Sequence, residues 1–305
     1  MPGVFYTSIY GEQNSTYASA GNANLGRFPL GHKLILPDGR EYMFALNDGT
    51  VEVAGNVYQS VAPVANHTNR SADVARAIGA VALSATLAAT AAATDIYAEG
   101  LAHINDLTGE GYSHRIARAM TSTGAHASAA ASAVLTVNLA AGESVQVALT
   151  TASEMSFTRN RFHQPTLALS PPTAGLAGVS PGVAALDRFY WSQVRGMAAV
   201  LADGTLLAGL PVQLSTSIDG AVENLKRRIR TGGATLVVLT SHFVAPLTDQ
   251  DGTTTGAFLY LGTASATTGY DITGPIAVNS VLVGVCVKAN ADTEFALIEL
   301  HLPNN

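Results

Sequence analysis

The sequence predicts a mainly β protein with two or more small antiparallel β-barrel or sandwich units, an extended N-terminal arm and one short helix near 219–231. Three observations predict this class. Apolar and polar residues alternate at period two, turn dipeptides recur, and small and β-branched residues outnumber Leu, Lys and Glu. The turn dipeptides are five Asp-Gly pairs, which tolerate positive φ, at Asp38-Gly39, Asp48-Gly49, Asp203-Gly204, Asp219-Gly220 and Asp251-Gly252.

Period-two alternation locates the strands. Val81, Leu83, Ala85 and Leu87 give the clearest example, because every second residue is apolar over seven positions. Residues 86–93 are alanine-rich and also fit a short helix. The predicted strands lie at 33–36, 41–46, 50–53, 81–87, 112–116, 134–139, 144–149, 189–194, 198–201, 206–212, 236–244, 258–261, 280–287 and 295–300.

Composition along the chain predicts four segments. Residues 1–30 are polar and aperiodic, and we expect an extended arm that lies on a partner. Residues 31–160 form a β-rich domain, within which 71–155 read as a separate unit. Prolines and glycines mark a linker or loop at 161–185, and residues 186–305 form a second β-rich domain.

The helix prediction depends on one apolar face. Val222, Leu225 and Ile229 are spaced i, i+3 and i+7. Either Ser217 or Asp219 can cap its start. The basic run at 226–230 suits the end of a helix, where cations complement the macrodipole; the alternative is docking on an acidic neighbour.

Charge and composition exclude several classes of function. The chain has 16 basic and 22 acidic residues, a net charge of −6, and only 12% charged residues. Nucleic-acid binding needs clustered Lys and Arg, so we expect no nucleic-acid partner. The most apolar stretch, 74–93, is mostly alanine with polar interruptions, and the N-terminus lacks the pattern of a signal peptide, so we expect no membrane association.

Three motifs resemble sites of chemistry, and each has a simpler interpretation. Residues 178–182 match the G-x-S-x-G nucleophile elbow around Ser180. However, the stretch before Ser180 is rich in Pro and Gly, and Pro181 has no N–H for an oxyanion hole. The eight histidines are scattered without zinc-site spacing and are expected to be surface or strand residues; the alternative is that a hairpin places His103 opposite His114. Residues 248–252 resemble part of a calcium loop, and a weak calcium site near Asp249–Asp251 stays open beside the simpler reading of a polar turn.

We therefore predict no catalytic residue, no bound cofactor and no metal site. The single cysteine, Cys286, lies in an apolar run and is expected to be a buried, inert thiol.

Two stretches resemble a recurrent type of tailed-bacteriophage virion protein. They run from Asp95-Ile-Tyr-Ala-Glu to Ser-His-Arg-Ile116, and from Phe189-Tyr-Trp-Ser-Gln to Val-Leu-Ala-Asp-Gly-Thr205, followed by Gly209 and Gly220-Ala-Val222. Their glycines, aromatics and turns are similar to those of capsid decoration, or cement, proteins. The resemblance implies a non-enzymatic virion protein on the outer surface of the head, with the major capsid protein as partner and a homotrimer as the assembly.

Two alternatives stay open at the level of sequence. A phage tail or baseplate component would have the same general composition. A carbohydrate-binding or carbohydrate-degrading appendage belongs to a different class, and catalysis there would need paired carboxylates, which the 22 acidic residues do not show as a sequence cluster.

Overall fold

The computed structural model describes residues 16–18, 28–47, 50–118, 124–225 and 281–302. The protein is mainly β, as predicted, and its sheets are antiparallel. Over the described residues the only helical element is one 3-10 turn, Ala65–His67. Residues 1–224 and 281–305 belong to one compact unit, separate from 225–280, and all the described strands lie in it.

The largest sheet has eleven strands and draws them from both ends of the chain. The strands are β1 (Tyr17–Ala18), β2 (Lys33–Ile35), β3 (Glu41–Asn47), β4 (Val57–Gln59), β11 (Thr166–Leu167), β12 (Leu176–Val179), β13 (Arg188–Leu201), β14 (Pro211–Leu214), β15 (Val222–Asn224), β16 (Leu282–Lys288) and β17 (Phe295–His301). Its central path runs β11-β4-β12-β13-β17-β16-β14-β15, while β1 and β3 also pair with β13, and β2 pairs with β3.

Two smaller sheets come from the residues between β4 and β11. Their strands are β5 (Arg70–Ser71), β6 (Ala82–Thr86), β7 (Leu101–Asp106), β8 (Ser113–Arg115), β9 (Val134–Asn138) and β10 (Glu154–Thr158). One sheet has four strands in the order β5-β10-β7-β8, and the other pairs β6 with β9.

Strand β13 organises the large sheet. Its first half pairs with β3, and from Arg195 to Leu201 it pairs with β17. It also contacts β12 through Gln193 and β1 through Phe189. Residues 189–194 are all buried, so this half of the strand is covered on both faces. The buried residues include two polar ones, Ser192 and Gln193, besides the apolar and aromatic ones.

An aromatic cluster fills one side of β13. Phe44 stacks on Phe189 with ring centroids 5.1 Å apart, and it meets Trp191 edge-on at 5.0 Å. Phe28 contacts both Phe44 and Trp191. Such ring pairs add stabilisation beyond the area they bury. The cluster joins residues about 150 positions apart into one hydrophobic core, formed by residues 30–57 and 162–302.

Residues 72–157 have a hydrophobic core of their own, which the smaller sheets enclose. A buried carboxylate ties this core to the start of the large sheet. Glu99 accepts a hydrogen bond from the backbone N–H of Leu30 at 2.7 Å and pairs with Arg118 at 2.7 Å. Arg118 in turn donates to the carbonyl of Phe28.

The strand boundaries differ from the predicted domains in two places. Residues 161–185 are not a linker, because they contain β11 and β12 and contribute Phe162 and Leu176 to the core. Residues 31–160 do not form one domain either, because β2, β3 and β4 share a sheet with β13 and β17. Local composition could not show this, because the pairing of β3 with β13 links residues distant in sequence.

The described part of the predicted arm lies on its own chain. Tyr17 and Ala18 pair with Phe189 and Arg188 of β13. Leu30 is buried in the main core. The segments 17–18 and 28–30 therefore belong to the folded body, and residues 1–15 and 19–27 lie outside the described residues.

The helix predicted at 219–231 is wrong over its described part. Gly220 has a φ of 74° in a turn, and Val222–Asn224 form β15, which pairs with β14. Val222 is fully buried in this pairing. Pairing with β14 therefore determines the conformation of residues 222–224, although the local spacing of apolar residues favours a helix. The basic run at 226–230 lies outside the described residues.

Most of the described predicted strands are present, with shifted limits. Those at 41–46, 81–87, 134–139 and 295–300 correspond to β3, β6, β9 and β17, and those at 189–194 and 198–201 merge into β13. Residues 50–53 and 144–149 are not strands and hold only single bridges, at Glu52 and Leu149. Residues 206–210 are not a strand either, and only the end of the predicted strand 206–212 falls in β14. Residues 86–93 are not helical. The predicted strands 236–244 and 258–261 and two Asp-Gly pairs, 48–49 and 251–252, lie outside the described residues.

Replacing Phe44 by Ala should weaken the large-sheet core strongly. The ring is fully buried between Phe189 and Trp191, so we expect the free energy of unfolding to fall by about 3–5 kcal/mol. Trp191 is the sole tryptophan, and its fluorescence during urea unfolding reports this core. Val51→Ala, at an exposed position, should change the value by less than about 0.5 kcal/mol. Equal effects of the two changes would contradict the role of the cluster.

Candidate functional site

The outer face of the large sheet carries apolar side chains where β13 meets β17. Along β17 every second residue points outward, and Phe295 and Leu297 are among them. Met197 of β13 lies on the same face, opposite Glu299. All three apolar side chains are more than one-third exposed. This group of Met197, Phe295 and Leu297 is named the outer apolar face.

An open groove adjoins the outer apolar face. It has a volume of about 410 Å³, and its walls include Arg40, Pro181, Gln193, Met197 and Phe295. Gly55 forms part of the wall, and the ring of Phe295 lies so close that a Cβ there would sit 2.4 Å from it. The absence of a side chain at Gly55 thus leaves room for the ring of Phe295.

The one cation in the groove wall is already paired. The Nε of Arg40 lies 2.7 Å from a carboxylate oxygen of Asp38, and another of its nitrogens donates to the Tyr42 hydroxyl at 3.0 Å. The groove therefore offers an apolar floor with a neutralised ion pair at its edge. Such a surface suits contact with another protein surface better than capture of a charged small molecule.

Ser180 follows a strand, which the sequence interpretation did not expect, since β12 ends at Val179. The residues after it form turns rather than a helix. Ser180 is 1% exposed, and its hydroxyl donates to the carbonyl of Gly182 at 2.6 Å. The hydroxyl is thus engaged within its own loop, without the helix and the following N–H that a nucleophile elbow requires.

Behind the groove lies a buried carboxyl group, that of Glu52. Its backbone exchanges two hydrogen bonds with Ala184, which hold the side chain inside the protein at 0% exposure. No group of the described residues meets full hydrogen-bond geometry with either carboxyl oxygen. Burial raises the pKa of Glu52 to about 8, while the nearby hydroxyls of Tyr190 and Ser180 oppose that rise.

The carboxyl of Glu52 and the phenol of Tyr190 are buried beside each other, and burial favours the neutral form of both. Burial, and next the charge that Glu52 would carry, raise the pKa of Tyr190 well above its ordinary value. A protonated carboxyl costs far less to bury than a carboxylate. Because both groups are sealed from solvent, this pair acts on the stability of the fold rather than on an outside molecule.

The structure brings three of the eight histidines close together, which the sequence interpretation missed. His67 and His126 both contact Tyr97, and His163 lies near enough to His126 for their charges to interact. By contrast, His103 and His114 are not opposed, because His103 pairs with Ser113 and His114 with Ala102. Within the described ranges no three His, Cys, Asp or Glu side chains are grouped to hold a metal ion.

Other sequence-level candidates are placed as follows. Cys286 is buried in the core, as predicted. Residues 248–252, with the weak calcium candidate, lie outside the described part of the chain. Among the described residues no helix has the length and apolar character to span a bilayer.

Comparisons with known proteins leave the family open. No protein-family model, no curated protein and no solved structure matches the chain.

Local sequence gave no signal for the buried carboxyl. In Val51-Glu52-Val53 the two valines are about half exposed and the acid is fully buried, which inverts the usual pattern. The inversion arises because Glu52 bridges to Ala184, far along the chain. The histidine group was equally hidden, since its members come from separate loops.

Glu52→Gln should remove a pH dependence from the large-sheet core. The unfolded chain loses this proton near pH 4.5, whereas the folded protein keeps it to about pH 8. Between these values the folded state binds more protons, so its stability falls by about 1.4 kcal/mol per pH unit as pH rises, and levels off above pH 8. Urea unfolding followed by Trp191 fluorescence at pH 6 and pH 8 measures this slope.

The matched control is Glu299→Gln, which changes an exposed carboxylate on the outer side of β17. This variant should keep the wild-type slope, whereas Glu52→Gln should flatten it. An unchanged slope in Glu52→Gln would show that the buried carboxyl does not set the pH response.

Proposed function

We propose that this protein is a structural virion protein, a capsid decoration protein that binds the outer surface of a phage head and stabilises it. Its partner in this proposal is the major capsid protein. The observation that carries the proposal is the outer apolar face with its adjoining groove, on the large sheet. The resemblance of residues 95–116 and 189–205 to cement proteins supports the same conclusion.

The chemistry of the outer apolar face favours a protein partner. Met197, Phe295 and Leu297 stand out on paired strands, so they form one patch rather than isolated exposures. Apolar patches flanked by polar residues mark protein–protein contact sites. Glu299 and His301 flank this patch on the same face of β17 and supply the polar rim.

The charge of the chain favours the outside of a shell over its interior. A net charge of −6 and the scarcity of basic residues oppose contact with packaged DNA. Few charges also reduce the desolvation cost when a large part of the surface is covered by neighbours.

Assembly as a trimer would allow a modest interface per copy. A standard interface buries about 1,600 Å² in total. Three linked copies bind more tightly than one, because each later contact forms within the same complex. The arm at 1–30 is proposed to add to this attachment, with its residues 17–18 held on β13.

A carbohydrate-binding appendage is the second candidate, and one observation favours it. Phe295 is an exposed aromatic ring in the wall of an open groove that also holds Gln193 and Arg40. Sugars stack on such rings while polar groups bind their hydroxyls. Binding of the purified protein to a glycan panel that is lost in Phe295→Ala would favour this class.

Met197→Lys should weaken attachment to the shell while the protein stays folded. The new cation would lie opposite Glu299, where a cross-strand ion pair offsets the lost apolar contact within the monomer. At the shell interface the same cation and Glu299 would both lose contact with water, which costs binding free energy. We expect at least about a 30-fold loss of affinity for particles that lack the protein, which corresponds to about 2 kcal/mol.

The control for this experiment is Ile78→Lys, an equally apolar but more exposed position in the 72–157 unit. It should bind like the wild type. If both variants bind normally, the outer apolar face is not the attachment surface.

A further inference from the structure

Two loops of the 72–157 unit are joined through the ring of His126. The backbone N–H of Tyr97 donates to Nε2 of His126 at 3.0 Å. The other ring nitrogen, Nδ1, lies 2.8 Å from the carbonyl of Ala127. An N–H can donate only to an unprotonated nitrogen, so Nε2 is bare and the proton resides on Nδ1. The ring is therefore held in one neutral tautomer.

The same two loops have further links around this ring. Asp95 accepts hydrogen bonds from the N–H groups of Ala125 and His126, at 2.7 and 3.0 Å. Ala92 and Ala129 form a two-way bridge with bonds of 2.8 and 2.9 Å. The ring contact of His126 is the one link that requires a deprotonated imidazole.

We propose that His126 is an acid-sensitive latch, which holds segment 124–129 against segment 92–98 at neutral pH and releases it when Nε2 takes up a proton. Protonation places an N–H at Nε2 directly against the N–H of Tyr97. The hydrogen bond is then replaced by a contact between two donors, and the ring must leave its site. The inference concerns the stability of this unit and does not depend on the proposed attachment to a shell.

The groups that face His126 explain why its site resists a proton. Burial lowers its pKa, and the nearby ring of His67 lowers it further, while the bond to Ala127 and the charge of Asp95 oppose this. Tyr97 packs against the ring. Beyond it, burial lowers the pKa of His163 to about 4, and the charge of Arg159 adds to that effect.

His67 does not require the same release. Its Nδ1 contacts the hydroxyl of Tyr97, and its Nε2 lies 2.9 Å from the carbonyl of Thr90. A protonated His67 can donate at both nitrogens, because a hydroxyl oxygen and a carbonyl both accept. The latch therefore depends on His126, whose Nε2 faces a donor.

The sign of the pH effect follows from proton linkage. Below the ordinary histidine pKa of 6.5 an open loop binds a proton that the closed loop excludes. The opening equilibrium then rises as pH falls, until pH reaches the lowered pKa of the closed state. The large sheet responds in the opposite direction, because Glu52 makes it more stable as pH falls from 8. Acid should thus open the 72–157 unit locally while the large sheet stays folded.

Hydrogen exchange of the full-length protein tests this. The amide of Tyr97 should lose roughly tenfold of its protection between pH 7 and pH 5, after correction for intrinsic exchange rates. Amides in the β13–β17 pairing should keep their protection over the same range. Unchanged protection at Tyr97 in the wild type would overturn the proposal.

His126→Gln is the decisive variant, because its amide oxygen can accept from Tyr97 and its NH₂ can donate to Ala127 at every pH. It should keep Tyr97 protected at pH 5. His103→Gln, on the partly exposed strand β7, is the matched control and should lose protection like the wild type. Loss of protection in His126→Gln equal to that in the control would overturn the proposal. Should His126→Gln fail to fold, the His126 ring titration in the wild type decides: a midpoint that differs from that of the Tyr97 opening refutes the latch.

Discussion

The requirement to cover both faces of β13 is the constraint on which the large sheet depends. Residues 189–194 are buried on either side, so the strand needs partners from several parts of the chain. Phe44 and Phe28 cover Trp191 on one side, while Glu52 and Tyr190 meet in the buried region behind the groove. The sheet is therefore complete only with the strands that residues before 60 and after 280 contribute.

The 72–157 unit is inserted between two strands of that sheet and keeps its own core. Its connection to the sheet is specific, because Glu99 binds the backbone N–H of Leu30 and the guanidinium of Arg118. Burial raises the pKa of Glu99, and the charge of Arg118 opposes this rise. The two cores also hold titratable groups of opposite pH response, Glu52 in one and His126 in the other. One compact unit thus carries two cores whose stabilities move apart as pH falls.

The sequence predicted the mainly β fold and several strands, but not which strands pair with each other. The alternation of Leu83 and Ala85 located β6, and Asp38-Gly39 marked the turn between β2 and β3, because these signals are local. The pairing of β3 with β13 is not local, so the domain limits could not be derived. Val222 was assigned to a helix because the spacing of apolar residues carries no information about the partner strand β14. The outer apolar face was hidden for the same reason, since Met197 and Leu297 meet only through strand pairing.

Location on the particle is the most direct test of the central claim, that this protein decorates a capsid. The outer apolar face and the low charge support attachment to the outside of a shell, and the resemblance to cement proteins implies trimers there. Electron microscopy of intact particles, at a resolution that allows this fold to be fitted, measures that location. We expect density for the protein in many copies on the outer surface of the head. Density only on the tail or baseplate, or none on the particle, would contradict it.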